Sequence, residues 1–244
     1  MSLDDLKFDG IRDELLSVLN KNGVKYAVTC SVDGSSSENS LKIADKYDYI
    51  YAAVGIHPEN LDSKTPISDI ERLSTHPKCV AIGEIGLDYY YNSDNRMEQI
   101  EVFEEQVVLA NKLNMPVIVH DREAHADTLE ILKRHKPKGV VHCFSGSLEM
   151  ARDILNIGMY IGVGGVVTFR NAKKLPDIVK AIPDDRLLIE TDCPYLAPEP
   201  YRGKLNHSGF LTLVASRIAD IKNTDLSYIL NKTSDNAKEL FNIK

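Results

Sequence analysis

Five side chains able to bind a cation close hydrophobic runs in this sequence: His57 after IYAAVGI, Glu84 after CVAIG, His120 after PVIV, His142 after KGVV and Asp192 after RLLIET. An ionisable group at the end of an apolar run loses hydration on folding and needs a partner. Singly, each reads as a satisfied core group. Five of them at equivalent places read as a ligand set. Imidazole with carboxylate suits Zn, Mn, Fe or Ni, and Mg where carboxylate and water dominate. The expected cofactor is therefore one or two divalent ions, with Glu84 holding a metal or bridging two. A pair of ions about 3.5–4 Å apart activates water and stabilises the leaving oxygen of a phosphoryl or acyl transfer.

The elements that must position these residues follow a regular rhythm. Short β-branched runs stand at 26–32, 50–57, 79–86, 116–121, 138–145, 159–165 and 186–192. Each is nearly continuous in hydrophobicity, as parallel strands buried on both faces are. Between most of them lie stretches of helical period, such as 97–113 and 124–135, and two more helices are expected near 208–222 and 225–241. Strands alternating with helices give right-handed βαβ units and a parallel sheet. The expected fold is α/β: a TIM-like (β/α)8 barrel in which the ligand residues converge at the C-terminal ends of the strands. Only seven strands are recognisable where eight close such a barrel, and the chain opens with a helix at about 10–22. The first strand is the one expected to be missing, with the gap between 26–32 and 186–192, as though MSL were fused into a βα loop. Residues 1–8 or a second copy could cover the open edges.

Composition sets the remaining bounds. A chain of 244 residues with 43% hydrophobic and 27% charged residues is of soluble globular type, and an α/β barrel of this length folds as a single domain over 1–244. No apolar run reaches a membrane span, so no membrane partner is expected. Cys30, Cys79, Cys143 and Cys193 lack paired spacing, which favours reduced thiols and a cytoplasmic setting. The net charge of −7 argues against a broadly basic nucleic-acid surface but leaves room for a phosphate site built on bound cations. Arg122, Arg202 and Lys204 are the anion contacts on offer, and Asp88 with Tyr89–Tyr91 could line a groove by stacking.

Taken together, GIHP at 55–58, GEIGLDY at 83–89, HDREA at 120–124, HCFSGS at 142–147, ETDCPYLAP at 190–198 and RGKLN at 202–206 resemble the TatD family of metal-dependent deoxyribonucleases. The resemblance spans nearly the whole chain, in order. It implies an amidohydrolase-type TIM barrel in which Glu84, His120, His142 and Asp192 are metal ligands. Glu84 would bridge, and Asp192 would orient or deprotonate water. It also implies that His57, Arg122, Ser145, Arg202 and Asn206 lie near the scissile phosphate of DNA, single-stranded or at a frayed end. Two departures stand out. Family members usually begin with a strand ending in His-x-His before a segment like DDLKFDG, which here occupies 4–10 without the pair, and Ser208 stands where proline is usual.

The expected function is divalent-metal-dependent hydrolysis of DNA phosphodiesters, trimming from an end. With four of the family's six ligands, this polypeptide is expected to cut at least ~100-fold more slowly than intact relatives, each ~1.4 kcal/mol of barrier being tenfold. The alternatives are a related barrel hydrolase acting on a small ester or amide, and an inactive remnant that only binds metal or phosphate.

Overall fold

The computed structural model describes residues 1–243. Among them, nine α-helices and seven strands follow one another as α1 (Arg12–Lys21), β1 (Ala27–Cys30), α2 (Gly34–Lys46), β2 (Ile50–Val54), α3 (Ile67–Ser74), β3 (Cys79–Asp88), α4 (Arg96–Leu113), β4 (Val117–Arg122), α5 (His125–His135), β5 (Gly139–Val141), α6 (Leu148–Asn156), β6 (Tyr160–Val163), α7 (Leu175–Ala181), β7 (Leu187–Ile189), α8 (Leu211–Lys222) and α9 (Leu226–Phe241). The strands pair in chain order, all parallel, with β1 and β7 as the two edges. The sheet curls into an open barrel of seven strands, as the sequence led us to expect.

Burial on both faces explains the continuous apolar runs. One residue from each strand (Cys30, Ala53, Ala81, Ile118, Val140, Tyr160 and Leu188) joins an inner cluster, with Phe241 and Ile243 packed against it. Their neighbours, including Val54, Ile82, Val119, Val141 and Ile161, pack outward with the helices in a second, larger cluster. Alternation of period two thus separates inside from outside even where every residue is apolar.

The gap between β1 and β7 is not left open. Leu3 N–H donates to Thr29 Oγ1 at 3.0 Å, Cys30 N–H to Met1 O at 2.6 Å, and Ser2 N–H to Cys193 O at 2.9 Å. Residues Met1–Leu3 therefore bridge from β1 to the segment after β7, and Leu3 is buried among the core side chains. Such pairing satisfies groups that an edge would present to solvent.

Candidate metal centre

Counting inward positions from the inner cluster leads straight to the site. On β4, Ile118 is followed two and four residues on by His120 and Arg122; beyond β5, Val140 is followed by His142; beyond β7, Leu188 is followed by Glu190; beyond β2, Ala53 leads to Gly55 and His57. Glu84 breaks this count. From Ala81 the inward positions would be Gly83 and Ile85. The pairing of β3 with β4 instead shifts register between Gly83 and Ile85, and Ile85 joins the outer cluster. A bulge at Glu84 re-aims its carboxylate to the inside, and the same shift turns Asp88 inward.

One oxygen, Glu84 Oε1, then faces three imidazoles. His57 Nε2 lies 3.3 Å away and His120 Nδ1 3.1 Å. His142 Nε2 is 2.8 Å away but out of hydrogen-bond alignment, so this buried nitrogen has no hydrogen-bond partner. The ligand atoms of Glu84, His120 and His142 lie within 4.8 Å of one another, as do those of His57, Glu59 and His120. A carboxylate ringed by nitrogens, one of them unpartnered, is the donor set a divalent cation fits. Asp192 stands outside the tighter group.

The outer ring nitrogens are fixed by carboxylates. His120 Nε2 is 2.9 Å from Asp88 Oδ2, and His142 Nδ1 is 3.2 Å from Glu190 Oε2, whose other oxygen accepts Cys143 N–H. These contacts set which nitrogen of each ring faces Glu84 and would face a cation held there. Neither Asp88 nor Glu190 was singled out from the sequence as a ligand's partner. Their signal was spacing: Asp88 lies on the same strand as Glu84, and Glu190 follows the inward count along β7. Gly162 belongs to the same arrangement, since a Cβ there would stand 2.9 Å from Glu190 Oε1 and 3.1 Å from His142 Cα.

Helix α4 holds two strand ends with two glutamines on one face. Gln99 Oε1 accepts Asp88 N–H at 2.8 Å and its amide donates to Asp88 O at 3.0 Å. Seven residues later, Gln106 does the same to Ile56, at 2.7 and 3.0 Å. Each buried amide stands in for a neighbouring strand, and each clamp sits beside a site residue, Asp88 itself and His57.

The charges follow from this geometry. Burial alone would push the Glu84 carboxyl up, but the charge of His142 and the contacts from His120, His142 and His57 hold it well below the usual carboxylate range. Burial opposes protonation of His120, yet Asp88 and Glu84 raise its pKa to about 9. Against the same burial, Glu84 and Glu190 raise His142 well above the ordinary imidazole value. Asp192 is raised to about 6, first by burial and then by Glu84 and Glu190, against the pull of His142.

Of the remaining expected site residues, Arg122 ends β4 two residues beyond His120, and Arg202 lies in the segment between β7 and α8. Arg122 packs its guanidinium 4.0 Å from the Tyr90 ring centre, Arg202 4.3 Å from that of Phe169, and Ser145 is exposed. Asn206 departs from the expectation of a phosphate contact. It is fully buried, and its amide donates to Thr191 O and, at 2.5 Å, to Tyr195 O. It braces the loop carrying Asp192.

A curled parallel sheet with this cluster at the C-terminal ends of its strands defines a metal-dependent hydrolase of the TIM-barrel type. The model of the TatD related DNase family matches residues 1–242, and the chain belongs to that family. It is 41% identical over 242 residues (97% of this chain, 95% of the relative) to an uncharacterized metal-dependent hydrolase, YabD, of Bacillus subtilis. It is 32% identical over 254 residues (100% and 98%) to a protein of Erwinia tasmaniensis named 3'-5' ssDNA/RNA exonuclease TatD. The crystal structure of YJJV, a TatD homologue from Escherichia coli K12, superposes with a TM-score of 0.93 at 30% identity, covering 100% of this chain and 96% of that one.

Proposed function

We propose that this protein hydrolyses phosphodiester bonds at the end of a single-stranded nucleic-acid chain, DNA in the first instance, with a divalent cation held by Glu84, His120 and His142. The observation that carries the reading is Glu84 Oε1 facing three imidazole nitrogens at 2.8–3.3 Å, with Arg122 two residues beyond His120 at the end of the same strand. When bound, such a cation acts as a Lewis acid and lowers the pKa of water.

The chain's own groups supply the rest. Asp192, ionised above about pH 6, takes the proton of an attacking water. Asp88 and Glu190 keep His120 and His142 oriented. Arg122 and Arg202 receive the phosphate oxygens, and Ser145 and His57 border them. The Erwinia relative's name, a 3'-5' ssDNA/RNA exonuclease, supports an end-directed reaction on a single strand. The four free thiols support a reducing, cytoplasmic setting, and among the described residues no helix is long and apolar enough to cross a membrane.

The test is a substrate panel with Mg, Mn and Zn: end-labelled single-stranded DNA, the matching RNA, and p-nitrophenyl esters. Stepwise shortening of the DNA, lost on chelation and in Glu84→Gln, is the expected result. Turnover of the carboxylic esters with both oligonucleotides intact would overturn the reading in favour of a small-ester hydrolase.

A further inference from the structure

We infer that Tyr90 and Tyr91 form a shelf on which the bases of the incoming strand stack, with Arg122 beneath it reaching for the adjoining phosphate. The inference rests on the nucleic-acid reading above and deepens it.

The two tyrosines are each 61% exposed, side by side in the loop after β3. Their rings meet edge to face with centres 5.1 Å apart, and the Arg122 guanidinium lies 4.0 and 4.7 Å from them. Adjacent aromatic rings held open to solvent mark a binding surface more than a packing need. Asp88 fixes where this surface lies. Its Oδ1 accepts the N–H of Tyr90 at 2.9 Å and of Tyr91 at 3.0 Å, while its Oδ2 holds His120. The shelf is thus one carboxylate away from a metal ligand.

The occupant follows from the chemistry. Among the described residues the Arg122 guanidinium has no hydrogen-bond or ion-pair partner; it lies against the two tyrosine rings. Its N–H fork is left for an anion, and guanidinium matches phosphate in a bidentate fashion. Planar rings beside a phosphate-sized cation suit a nucleotide of a single strand, whose unpaired base offers a flat face; base–aromatic stacking tolerates any base.

The test uses three substrates with the full chain and its cation: a dT8 oligonucleotide, an abasic octamer of the same length, and bis(p-nitrophenyl) phosphate, a diester without bases. Tyr90→Ala/Tyr91→Ala should raise KM for dT8 about five- to a hundredfold, the span of base stacking, leaving the abasic strand and the small diester unchanged. Tyr90→Phe/Tyr91→Phe should restore the wild-type KM. An equal loss on dT8 and the abasic strand would mean that the rings act only by holding Arg122. A loss on the small diester would mean that they merely support the site. Either overturns the shelf, as does failure of the phenylalanine pair to rescue. Wild-type protein that digests dT8 and the abasic strand with the same KM refutes the shelf alone. Wild-type protein that cleaves the small diester but neither oligonucleotide sinks the nuclease reading together with it.

Discussion

Replacing Asp88 by asparagine should cripple metal uptake without emptying the site of ligands. Asp88 accepts three hydrogen bonds, from His120 Nε2–H at 2.9 Å and from the backbone N–H of Tyr90 and Tyr91. Asparagine keeps the shape but has only one accepting oxygen. Two backbone donors claim it, so the amide NH2 turns toward His120. Facing a donor, His120 Nε2 must accept, and its proton moves to Nδ1. That nitrogen is the one 3.1 Å from Glu84, and a protonated Nδ1 has no lone pair for a cation. Restoring the other tautomer sets two donors against each other and forfeits a charge-assisted bond of about 1.5–3 kcal/mol. The expected loss is ~10- to 100-fold in metal affinity, as for other outer partners of histidine ligands. Titration calorimetry with Mn or Zn on Asp88→Asn measures it, with circular dichroism as the check on folding. In the metal-free protein, the His120 imidazole pKa, followed by NMR, should fall from about 9 as the Asp88 contact is removed. Affinity within twofold of wild type, or an unmoved imidazole, would refute the tautomer argument.

Other outcomes follow from the same charges. Because His120 keeps its proton to about pH 9 and His142 is held well above the ordinary imidazole value by Glu84 and Glu190, cation binding must displace protons; apparent affinity should climb from pH 6 to 9 with roughly one to two protons released per ion, and a pH-independent affinity in calorimetry would contradict this. Asp192 holds its proton to about pH 6 in the folded chain against an ordinary value of 3.8, so the folded state binds more protons across that window and metal-free stability falls as pH rises through it. Asp192→Asn should therefore raise the urea midpoint at pH 7.5 and leave it nearly unchanged at pH 4; equal effects at both would show the burial charge to be misread. Gly86→Ala should destabilise by at least ~2 kcal/mol, since overpacking alone spans about 1–3: a Cβ there would sit 1.9 Å from His120 O, at a backbone φ of +146°. A denaturation midpoint like that of wild type would show that β3 and β4 separate more easily than their pairing suggests.

Much of the barrel was legible because parallel strands bury both faces, and a doubly buried run cannot hide among loops. His120 and His142 came with it, since inward positions continue the strand's alternation into the loop. Glu84 stood out by its type, but its direction depends on a bulge, and alternation alone would have turned it to the helices. Asp88 was visible as a carboxylate, while its contact with His120 depends on a strand register that one sequence does not print. Asn206 misled for a related reason: an amide in a polar loop reads the same whether it meets solvent or, as here, backbone carbonyls. Cover of the open edge by residues 1–8 was foreseeable from the missing strand, but that Met1–Leu3 in particular make the bridge was not, because three residues are too few to show a period.

The two glutamine clamps of α4 bear on how the site opens. The N–H groups of Ile56 and Asp88 end in side chains of a helix, not in the sheet. Their exchange with solvent deuterium is then governed by the detachment of α4, which buries Phe103, Val107 and Ala110 on the same face. Those two amides should exchange together, at the rate of the helix and more slowly than an exposed loop allows. A single cooperative unit, nucleated on one helix, would then decide when both His57 and Asp88 lose their places, so that the centre comes apart in one event and not ligand by ligand.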